Sequence, residues 1–434
     1  MLELTLPGRA GNLSFRVQRR LLGEIVSPRE VRTEKGPDEL VRAALAAPVG
    51  APPLRELAGP DSRVAVLIDD ATRITPTRLI LPHVLDALAE AGVPDRNIAI
   101  VVALGTHRPM TQAEIEAKVG AEIAGRFTIV NDPAWDEAKF DHLGLSGDGI
   151  PAWVHRAVAR ADLRIGLGMI TPHLDAGFSG GSKIVLPGVC GTRTVETFHS
   201  RMAWVDENQL ALAGARLRLD MEEFVAEAVP LAHIVNVIPD RTGAVYACVA
   251  GHPVAAHRAG VPLAMEVFGA TVARRYPVVV ANAHPCGEDF WQATKALAAA
   301  ERMAECGGTL ILVADCAEGF AEHPRFPEYS ALEPGDIRNL LDRGRADDPV
   351  AAGEAVALSR IRAHFSLSVV SRSLPALPER FGAARFDTVE AAVADAVGRL
   401  HGPTDGCLAV LTHGGFTAPF AADPDQKLNI DPTA

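Results

Sequence analysis

The segment RVAVLIDDATRITPTRLILPHVLDALAEAG, residues 63–92, contains a short apolar run, a polar loop and a longer helix-forming stretch. The run at 63–68 predicts a buried strand. The stretch after the loop has the length of a helix, with Pro76 suited to its first turn and Gly92 to its C-terminal stop. A strand and a helix joined by a loop form the repeating unit of an α/β protein.

The same unit recurs along the chain. The alternation of Leu2, Leu4 and Leu6 predicts a strand at the start, and Thr111 with Glu114 forms a capping box that predicts a helix start. Further strands are predicted at 98–104, 161–170, 276–283 and 309–315, and a helix at 287–306 that ends at Gly307-Gly308. Because strands and helices alternate, we expect an α/β fold with mainly parallel sheets that are covered on both faces.

The α/β pattern restarts near residue 271. We therefore expect two α/β domains, an N-terminal one at 1–270 and a smaller C-terminal one at 271–434. The last residues, 421–434, are expected to be loosely ordered.

Composition narrows the class of protein. The chain has 434 residues, 48% of them hydrophobic, and a formal net charge of −12, which argues against a nucleic-acid partner. None of the six cysteines forms a C-x-x-C pair, and cysteines scattered in this way suggest a reducing compartment. No secretion signal and no apolar run long enough to span a membrane is visible. We expect a soluble, cytoplasmic protein.

Three polar clusters each follow a predicted strand directly, at 70–73, 105–108 and 171–173. The carboxyl ends of strands in a parallel α/β sheet line the ligand crevice. Residues that are far apart in the sequence are therefore expected to converge on one site.

The segment GFSGGSKI at 177–184 is similar to a phosphate-binding loop but departs from it at two positions. Ser182 stands where the last glycine of a nucleotide-binding P-loop belongs, and Ile184 where the magnesium-binding hydroxyl belongs. A P-loop ATPase is therefore not favoured. The glycines still have the freedom to present backbone N–H groups to a phosphate.

Three histidines lie in these glycine-rich and charged segments, namely His107, His173 and His199. They suit a zinc site that keeps one open position, or a pair of acid–base groups with one metal ligand, and the residues alone leave both open. Arg73 suits a substrate carboxylate or an ion pair with Asp69 or Asp70. Gln292 and Lys295 are three apart on a predicted helix and share a face.

Taken together, five segments resemble the nickel-pincer lactate racemases and their 2-hydroxyacid racemase and epimerase relatives. They are DDATR at 69–73, GTHRPMT at 105–111, PHLDAGFSGGSKIVLPG at 172–188, His199, and WQATK at 291–295. The resemblance implies an active site in the cleft between the two domains. It also implies a nickel-pincer nucleotide, a pyridinium mononucleotide with two sulfur arms, as the cofactor.

The resemblance also implies roles for single residues. Lys183 matches the covalent tether of the cofactor and His199 matches a nickel ligand. His107 and His173 match the two acid–base histidines. Arg73, Gln292 and Lys295 match the residues that bind the substrate, and the supporting residues are Asp70, Thr72 and Trp291.

The implied reaction is racemisation or epimerisation of a 2-hydroxy acid by hydride transfer from Cα through a 2-keto acid. Two bases whose pKa values lie near neutrality suit this reaction. The implied partners are a small 2-hydroxy acid and the enzymes that make the cofactor, with no nucleic acid and no membrane. The alternatives are a zinc-dependent hydrolase that uses the same three histidines and a non-catalytic anion-binding protein.

Overall fold

The computed structural model describes residues 1–8 and 11–421, so the expectation for the tail lies almost entirely outside the described residues. Its strands, in chain order, are β1 (Leu2–Leu6), β2 (Leu13–Val17), β3 (Leu22–Val26), β4 (Val64–Asp69), β5 (Ile98–Ala103), β6 (Thr128–Val130), β7 (Phe140–Leu145), β8 (Pro151–His155), β9 (Leu163–Met169), β10 (Pro172–His173), β11 (Gly177–Phe178), β12 (His233–Pro239), β13 (Val245–Gly251), β14 (Gly269–Val272), β15 (Tyr276–Asn282), β16 (Ala304–Val313), β17 (Ser366–Val370), β18 (Ala384–Phe386), β19 (Leu408–Leu411) and β20 (Ala418–Ala421).

The α-helices of the described residues cover the faces of the sheets and connect their strands. In chain order they are α1 (Pro37–Ala46), α2 (Thr77–Glu90), α3 (Gln112–Val119), α4 (Ala121–Arg126), α5 (Arg156–Ala159), α6 (Thr192–Ser200), α7 (Arg216–Ala228), α8 (Pro253–Phe268), α9 (Phe290–Ala293), α10 (Lys295–Met303), α11 (Phe326–Ser330), α12 (Pro334–Asp342), α13 (Pro349–His364) and α14 (Val389–Gly398). The capping box at Thr111 and Glu114, which opens α3, is confirmed.

The first large sheet has the strand order β13-β12-β9-β4-β5-β6. Its pairs are parallel except for β12 with β13. Alternate residues of β4 enter two different apolar clusters, with Val64 and Val66 in one and Ala65 and Leu67 in the other. Both faces of this sheet are therefore buried, as expected for a parallel sheet between helices.

The second large sheet has the order β18-β17-β16-β15-β19-β3, and every pair in it is parallel. The prediction of an α/β fold with mainly parallel sheets is confirmed. Strand β3 comes from residues 22–26, which the expected boundary near 270 places in the first domain. The division into 1–270 and 271–434 stays a prediction, and this N-terminal strand lies in the sheet of the second half.

The helix predicted at 287–306 is wrong in its length. The structure has the short helix α9, then α10, and β16 already begins at Ala304. Gly307 and Gly308 lie inside this strand, at a shift of register against β15. Gly307 has φ +79°, and a Cβ on Gly308 would lie 2.8 Å from the Pro277 carbonyl oxygen. The glycines thus form a bulge in a strand and do not stop a helix.

The carboxyl ends of β4, β5 and β9 lead into the three polar clusters, and the carboxyl end of β15 leads into the segment that carries α9 and α10. Val66 and Ile100 of the first sheet share one apolar cluster with Val279 and Leu310 of the second sheet. The two halves are therefore packed against each other beside the strand ends. Within the described part of the chain, no helix combines the length and the hydrophobicity needed to cross a bilayer.

Candidate active site

One cavity between the two halves collects almost all the predicted site residues. Its lining includes residues of the first large sheet and of helices α6, α9, α10, α11 and α13, and the predicted residues among them are Asp70, Arg73, His107, His173, Lys183, His199, Trp291, Gln292 and Lys295. Thr72 lies directly behind Arg73, which donates a hydrogen bond to Thr72 Oγ1 at 2.7 Å. The expected convergence of distant polar clusters is thus present in the structure.

The loop after β4 holds His107 through Asp70. The Asp70 carboxylate accepts hydrogen bonds from the Thr72 backbone N–H at 2.9 Å and from Thr72 Oγ1 at 2.5 Å, and Oδ2 lies 2.5 Å from His107 Nδ1. Burial by itself raises the pKa of Asp70, but His107, Arg73 and Thr72 outweigh it, so this pKa lies well below its usual range. Nε2 is the nitrogen of His107 that remains for a ligand, and Gln292 Nε2 lies 3.4 Å from it.

Lys118 of α3 holds the loop that follows β4, and the sequence did not predict this role. Its Nζ lies 2.6 Å from Asp69 Oδ1 and donates to the backbone carbonyls of Asp70 and Arg73, each at 2.9 Å. The side chain is buried, on the same face of α3 as Ile115 and Val119. A single lysine on a helix is normally solvated, so the sequence carries no signal for this role. In the described residues Arg73 forms no ion pair with Asp69 or Asp70, which removes one alternative.

His173 lies at the end of the short strand β10. Its Nδ1 accepts the backbone N–H groups of Asp175 at 3.2 Å and Ala176 at 3.4 Å, and Asp175 Oδ2 lies 3.5 Å away. Burial, followed by the positive charges of Lys183 and Lys295, holds the pKa of His173 well below its usual value. The structure therefore contains a second histidine whose Nδ1 faces an aspartate and whose Nε2 remains for a ligand.

Lys183 lies in a 3-10 turn, Gly181–Ile184, and lines the same cavity. Burial, together with the charges of Arg73 and Lys295, lowers the pKa of its ammonium to about 7. Its Nζ makes no hydrogen bond or ion pair within the described ranges. A large fraction of this amine is therefore neutral near pH 7, which is the form that acts as a nucleophile.

The glycine-rich loop is held by hydrogen bonds to its surroundings and by close packing. The N–H groups of Ser179, Gly181 and Lys183 already donate to the Thr171 carbonyl, to Asn236 Oδ1 and to the Gly180 carbonyl, at 2.8, 2.8 and 3.3 Å. These three donors are not free for a phosphate, so a phosphate at this loop would have to be bound by its other N–H groups. The reason for a glycine at 180 is steric: φ is +76° and a Cβ would lie 2.6 Å from Asn236 Oδ1.

His199 is on α6, near its C-terminal end. Its Nδ1 donates to the Val195 carbonyl at 3.0 Å, and Nε2 is left with its lone pair. Burial and the charge of Lys183 lower the pKa of the imidazole to about 3. A neutral imidazole whose other nitrogen is oriented by a carbonyl is the usual form of a metal-binding histidine.

The three histidines do not form one metal site. Nowhere in residues 1–8 and 11–421 do three or more histidine, cysteine, aspartate or glutamate side chains form a group that could hold a metal ion. The alternative in which His107, His173 and His199 share a single zinc ion is therefore not supported.

The second half supplies Gln292 and Lys295, and Lys295 Nζ donates to Gln292 Oε1 at 2.5 Å. Asp289 orients this pair, because its carboxylate accepts the Gln292 backbone N–H at 2.7 Å. Trp291 stacks on the ring of His323, with 4.3 Å between centroids. The shared face predicted for Gln292 and Lys295 is confirmed, although the helix breaks at Thr294 between them.

Two further side chains in or beside the cavity were missed, Glu354 of α13 and the His323 that supports Trp291. Neither belongs to a recognisable motif, and Glu354 stands in an alanine-rich helix that carries no polar pattern around it. His413, to which the sequence assigned no role, lines a separate cavity beside His284.

Comparisons with known proteins relate this chain to one family. A family model described as the lactate racemase N-terminal domain matches residues 9–211. The lactate racemase of Lactiplantibacillus plantarum is 31% identical over 309 residues, which are 70% of this chain and 72% of that protein. The lactate racemase of Thermoanaerobacterium thermosaccharolyticum is 28% identical over 343 residues, 77% of this chain and 80% of that protein.

Solved structures show the same fold. The lactate racemase apoprotein from Thermoanaerobacterium thermosaccharolyticum superposes with a TM-score of 0.85 at 24% identity, over 96% of this chain and 100% of that one. A protein from Thermotoga maritima superposes with a TM-score of 0.65 at 17% identity, over 88% of this chain and 98% of that one. The family match, the two lactate racemases similar over more than two thirds of their length and the shared fold lead to one conclusion: this chain belongs to the lactate racemase family, and it is an isomerase.

Proposed function

We propose that this enzyme racemises or epimerises a small 2-hydroxy acid of the lactate class, and that it uses a nickel-pincer nucleotide tethered to Lys183. The observation that carries the proposal is the arrangement in one cavity of two histidines, each with an aspartate at Nδ1, together with a lysine whose amine has no partner among the described residues. Pure binding of an anion does not need two bases.

The residues present fit the proposed cofactor. Lys183 offers an amine whose pKa is lowered to about 7, which suits a covalent bond to one arm of the cofactor. His199 offers an oriented imidazole with Nε2 free, which suits one position of a nickel ion. When bound, the cofactor supplies the acceptor for the hydride that leaves the substrate Cα.

The substrate carboxylate is held by the chain's own cations. Arg73 and Lys295 both line the cavity, and the pKa of Lys295 is lowered by burial and then by the positive charge of Arg73. An anionic carboxylate relieves this repulsion, and the guanidinium of Arg73 has the planar donor pair that a carboxylate prefers. Gln292 lies between Lys295 and His107, so it places the 2-hydroxyl side of the substrate beside His107.

The two histidines handle the hydroxyl proton. Nε2 of His107, whose Nδ1 faces Asp70, accepts this proton from one enantiomer. Nε2 of His173 accepts it from the mirror image when the neutral ring carries its hydrogen on Nδ1, which lies 3.5 Å from Asp175 Oδ2. Each turnover starts with one imidazole charged and ends with the other charged. Asp70, at 2.5 Å from His107 Nδ1, stabilises a positive charge on His107, whereas the buried His173 favours the neutral form.

The experiment is a chiral assay with cofactor-loaded protein. Single enantiomers of lactate, malate and an aryl-lactate are incubated in D₂O and separated by chiral chromatography. Conversion of at least one acid without deuterium at Cα is expected, because an internal hydride return keeps the original hydrogen. Deuterium at Cα would contradict hydride transfer, and no conversion of any acid would contradict the substrate class.

The tether has a test that does not depend on turnover. Intact mass spectrometry of protein co-expressed with the cofactor-making enzymes should show a covalent adduct on the wild type. The adduct should be absent from Lys183→Arg, which keeps a positive charge but cannot form the same bond. His199→Ala should keep the adduct and lose nickel in metal analysis. A bare wild-type chain would overturn the cofactor assignment.

A further inference from the structure

Three pairs of adjacent residues close a ring of contacts between the two halves. The pairs are His107-Arg108 of the first half, and Trp291-Gln292 and Glu322-His323 of the second half. The Arg108 backbone N–H donates to Glu322 Oε1 at 3.0 Å. The His323 ring stacks on the indole of Trp291, with 4.3 Å between centroids and 26° between planes. Gln292 Nε2 lies 3.4 Å from His107 Nε2, so each pair contacts the next and the ring is closed.

The third pair lies in the loop between β16 and α11, residues 314–325, which has an unusual backbone. Cys316 and Ala321 have φ of +49° and +51°, in the left-handed region that residues other than glycine rarely occupy. Backbone hydrogen bonds of 2.8, 2.9 and 2.8 Å join this loop to residues 287–290, at the start of α9. Residues held in the left-handed region persist where the surrounding structure fixes them, and they are concentrated at functional sites.

Glu322 holds the main chain directly after His107. Its carboxylate is half-buried and reaches the N–H of Arg108 from the opposite half. Within the same turn, the His107 N–H donates to the Leu104 carbonyl at 3.0 Å. Asp70 orients the His107 ring through Nδ1, and Glu322 adds a contact that fixes the main chain from which this ring projects.

His323 fixes the indole of Trp291. Its Nδ1 lies 2.9 Å from Asp348 Oδ2, and Asp348 Oδ1 accepts the Ala351 N–H at 2.9 Å, at the start of α13. The imidazole is buried and one of its edges is held by Asp348, so its face has a fixed direction. The indole lies against this face and lines the active-site cavity, one residue before Gln292.

We propose that Glu322 and His323 are positioning residues that together set the distance between His107 and Gln292. Each acts through a neighbour: Glu322 through the main chain that follows His107, and His323 through the ring of Trp291. One loop of the second half thus positions a group in each half. Its significance for catalysis rests on the proposed function, in which His107 is one of the two bases and Gln292 faces the substrate.

The contact at Arg108 has a test in the apoprotein. Hydrogen exchange of the Arg108 amide, read by mass spectrometry with electron-transfer fragmentation, should be at least about tenfold faster in Glu322→Ala than in wild type. Glu322→Gln keeps an oxygen that accepts, so its rate should stay within about threefold of wild type. Glu318→Ala is the matched control and should exchange like wild type, because this carboxylate lies in the same loop, 3.9 Å from the Arg108 guanidinium. An unchanged rate in Glu322→Ala, or an equal rise in Glu318→Ala, would overturn the role of Glu322.

The stack on Trp291 has an optical test that also needs no cofactor. An imidazole in contact with an indole quenches the indole fluorescence, so His323→Leu and His323→Phe should each raise the emission of the apoprotein. The chain has four tryptophans, and the same substitutions in a Trp291→Phe background isolate the contribution of Trp291. In that background the emission should not change. The same rise in both backgrounds, or no rise in either, would overturn the role of His323.

Kinetics of the loaded enzyme test the significance for turnover. Glu322→Ala and His323→Leu should each lose about 10- to 100-fold in kcat, the size of effect that a small displacement of a catalytic group produces. KM should stay within about threefold, since Arg73 and Lys295 still bind the substrate carboxylate. Glu322→Gln and His323→Phe keep the acceptor and the flat ring, so they should keep kcat within about threefold.

Equal losses in the conservative and the disruptive variants, or wild-type kcat in Glu322→Ala and His323→Leu, would contradict the proposal. If the wild type shows no turnover, the proposed function fails. The exchange and fluorescence results then still decide whether Glu322 and His323 hold these segments in place.

Discussion

His107 Nδ1 lies 2.5 Å from Asp70 Oδ2, and this contact joins the loops that follow two neighbouring parallel strands, β4 and β5. Asp70 is fixed in turn by Thr72, so the imidazole has one orientation. Nε2 then faces Gln292 from the other half of the molecule. A carboxylate that orients an imidazole and stabilises its charged form is a common support for an acid–base histidine.

Asp70→Asn should therefore lower kcat/KM by about 10²- to 10⁴-fold, because the amide cannot stabilise a charged imidazole as the carboxylate does. The Lys183 adduct and the melting temperature should change little, since asparagine keeps the shape of the side chain. Steady-state kinetics on the loaded enzyme measure the loss, and intact mass spectrometry checks the adduct. Unchanged kinetics would remove Asp70 from the mechanism.

The amine of Lys183 should react in its neutral form at a pH where ordinary lysines are charged. Because burial lowers its pKa to about 7, the deprotonated fraction rises as the pH increases through about 7 and is nearly complete at pH 9. Acylation of the apoprotein from pH 5 to 9, followed by peptide mass spectrometry, should show this midpoint for Lys183. Exposed Lys35 in the same digest is the internal reference, and a Lys183 curve that tracks Lys35 would contradict the lowered pKa.

Lys118→Met should destabilise the fold, since it leaves the Asp69 carboxylate and two carbonyl groups of the loop without their buried cation. We expect the free energy of unfolding to fall by about 3–5 kcal/mol, the typical result of removing one partner from a buried pair. Lys139→Met is the matched control, because Lys139 is half-exposed and its pair with Asp132 spans 3.7 Å; its cost should be about 0–1 kcal/mol. Urea denaturation measures both, and equal costs would show that the Lys118 contacts contribute little.

Gly180→Ala should destabilise the protein because the residue has φ +76° and its new Cβ would lie 2.6 Å from Asn236 Oδ1. A loss of about 1–3 kcal/mol is expected for a non-glycine residue held in this region of the backbone map. Gly402→Ala should be nearly neutral, since a Cβ there meets nothing within 4 Å. Thermal unfolding of the two variants checks the difference, and a neutral Gly180→Ala would show that the loop can relax.

Local patterns were sufficient for much of the fold. The apolar runs at 63–68 and 98–104 form the parallel neighbours β4 and β5, because a run of this length with buried alternate faces suits a strand between two helical layers. The failure at 287–306 has a physical cause as well. Glycines next to an alanine-rich helix are typical of a helix end, but here β15 approaches so closely that only a bulge with glycines fits.

The sequence by itself determined the strand–loop–helix order, and through it the place where Asp70, His107 and His173 gather, because the carboxyl ends of parallel strands share one edge of a sheet. Only the tertiary structure decided which charged side chains are buried and which groups they contact. Lys118 contacts a loop 45 and 48 residues away in the chain, and Glu354 of the opposite half lines the same cavity as Asp175. Such contacts depend on the long-range packing of helices onto the sheets. Once that packing exists, the free-energy cost of burying a charge requires each buried charged group to have a suitable partner.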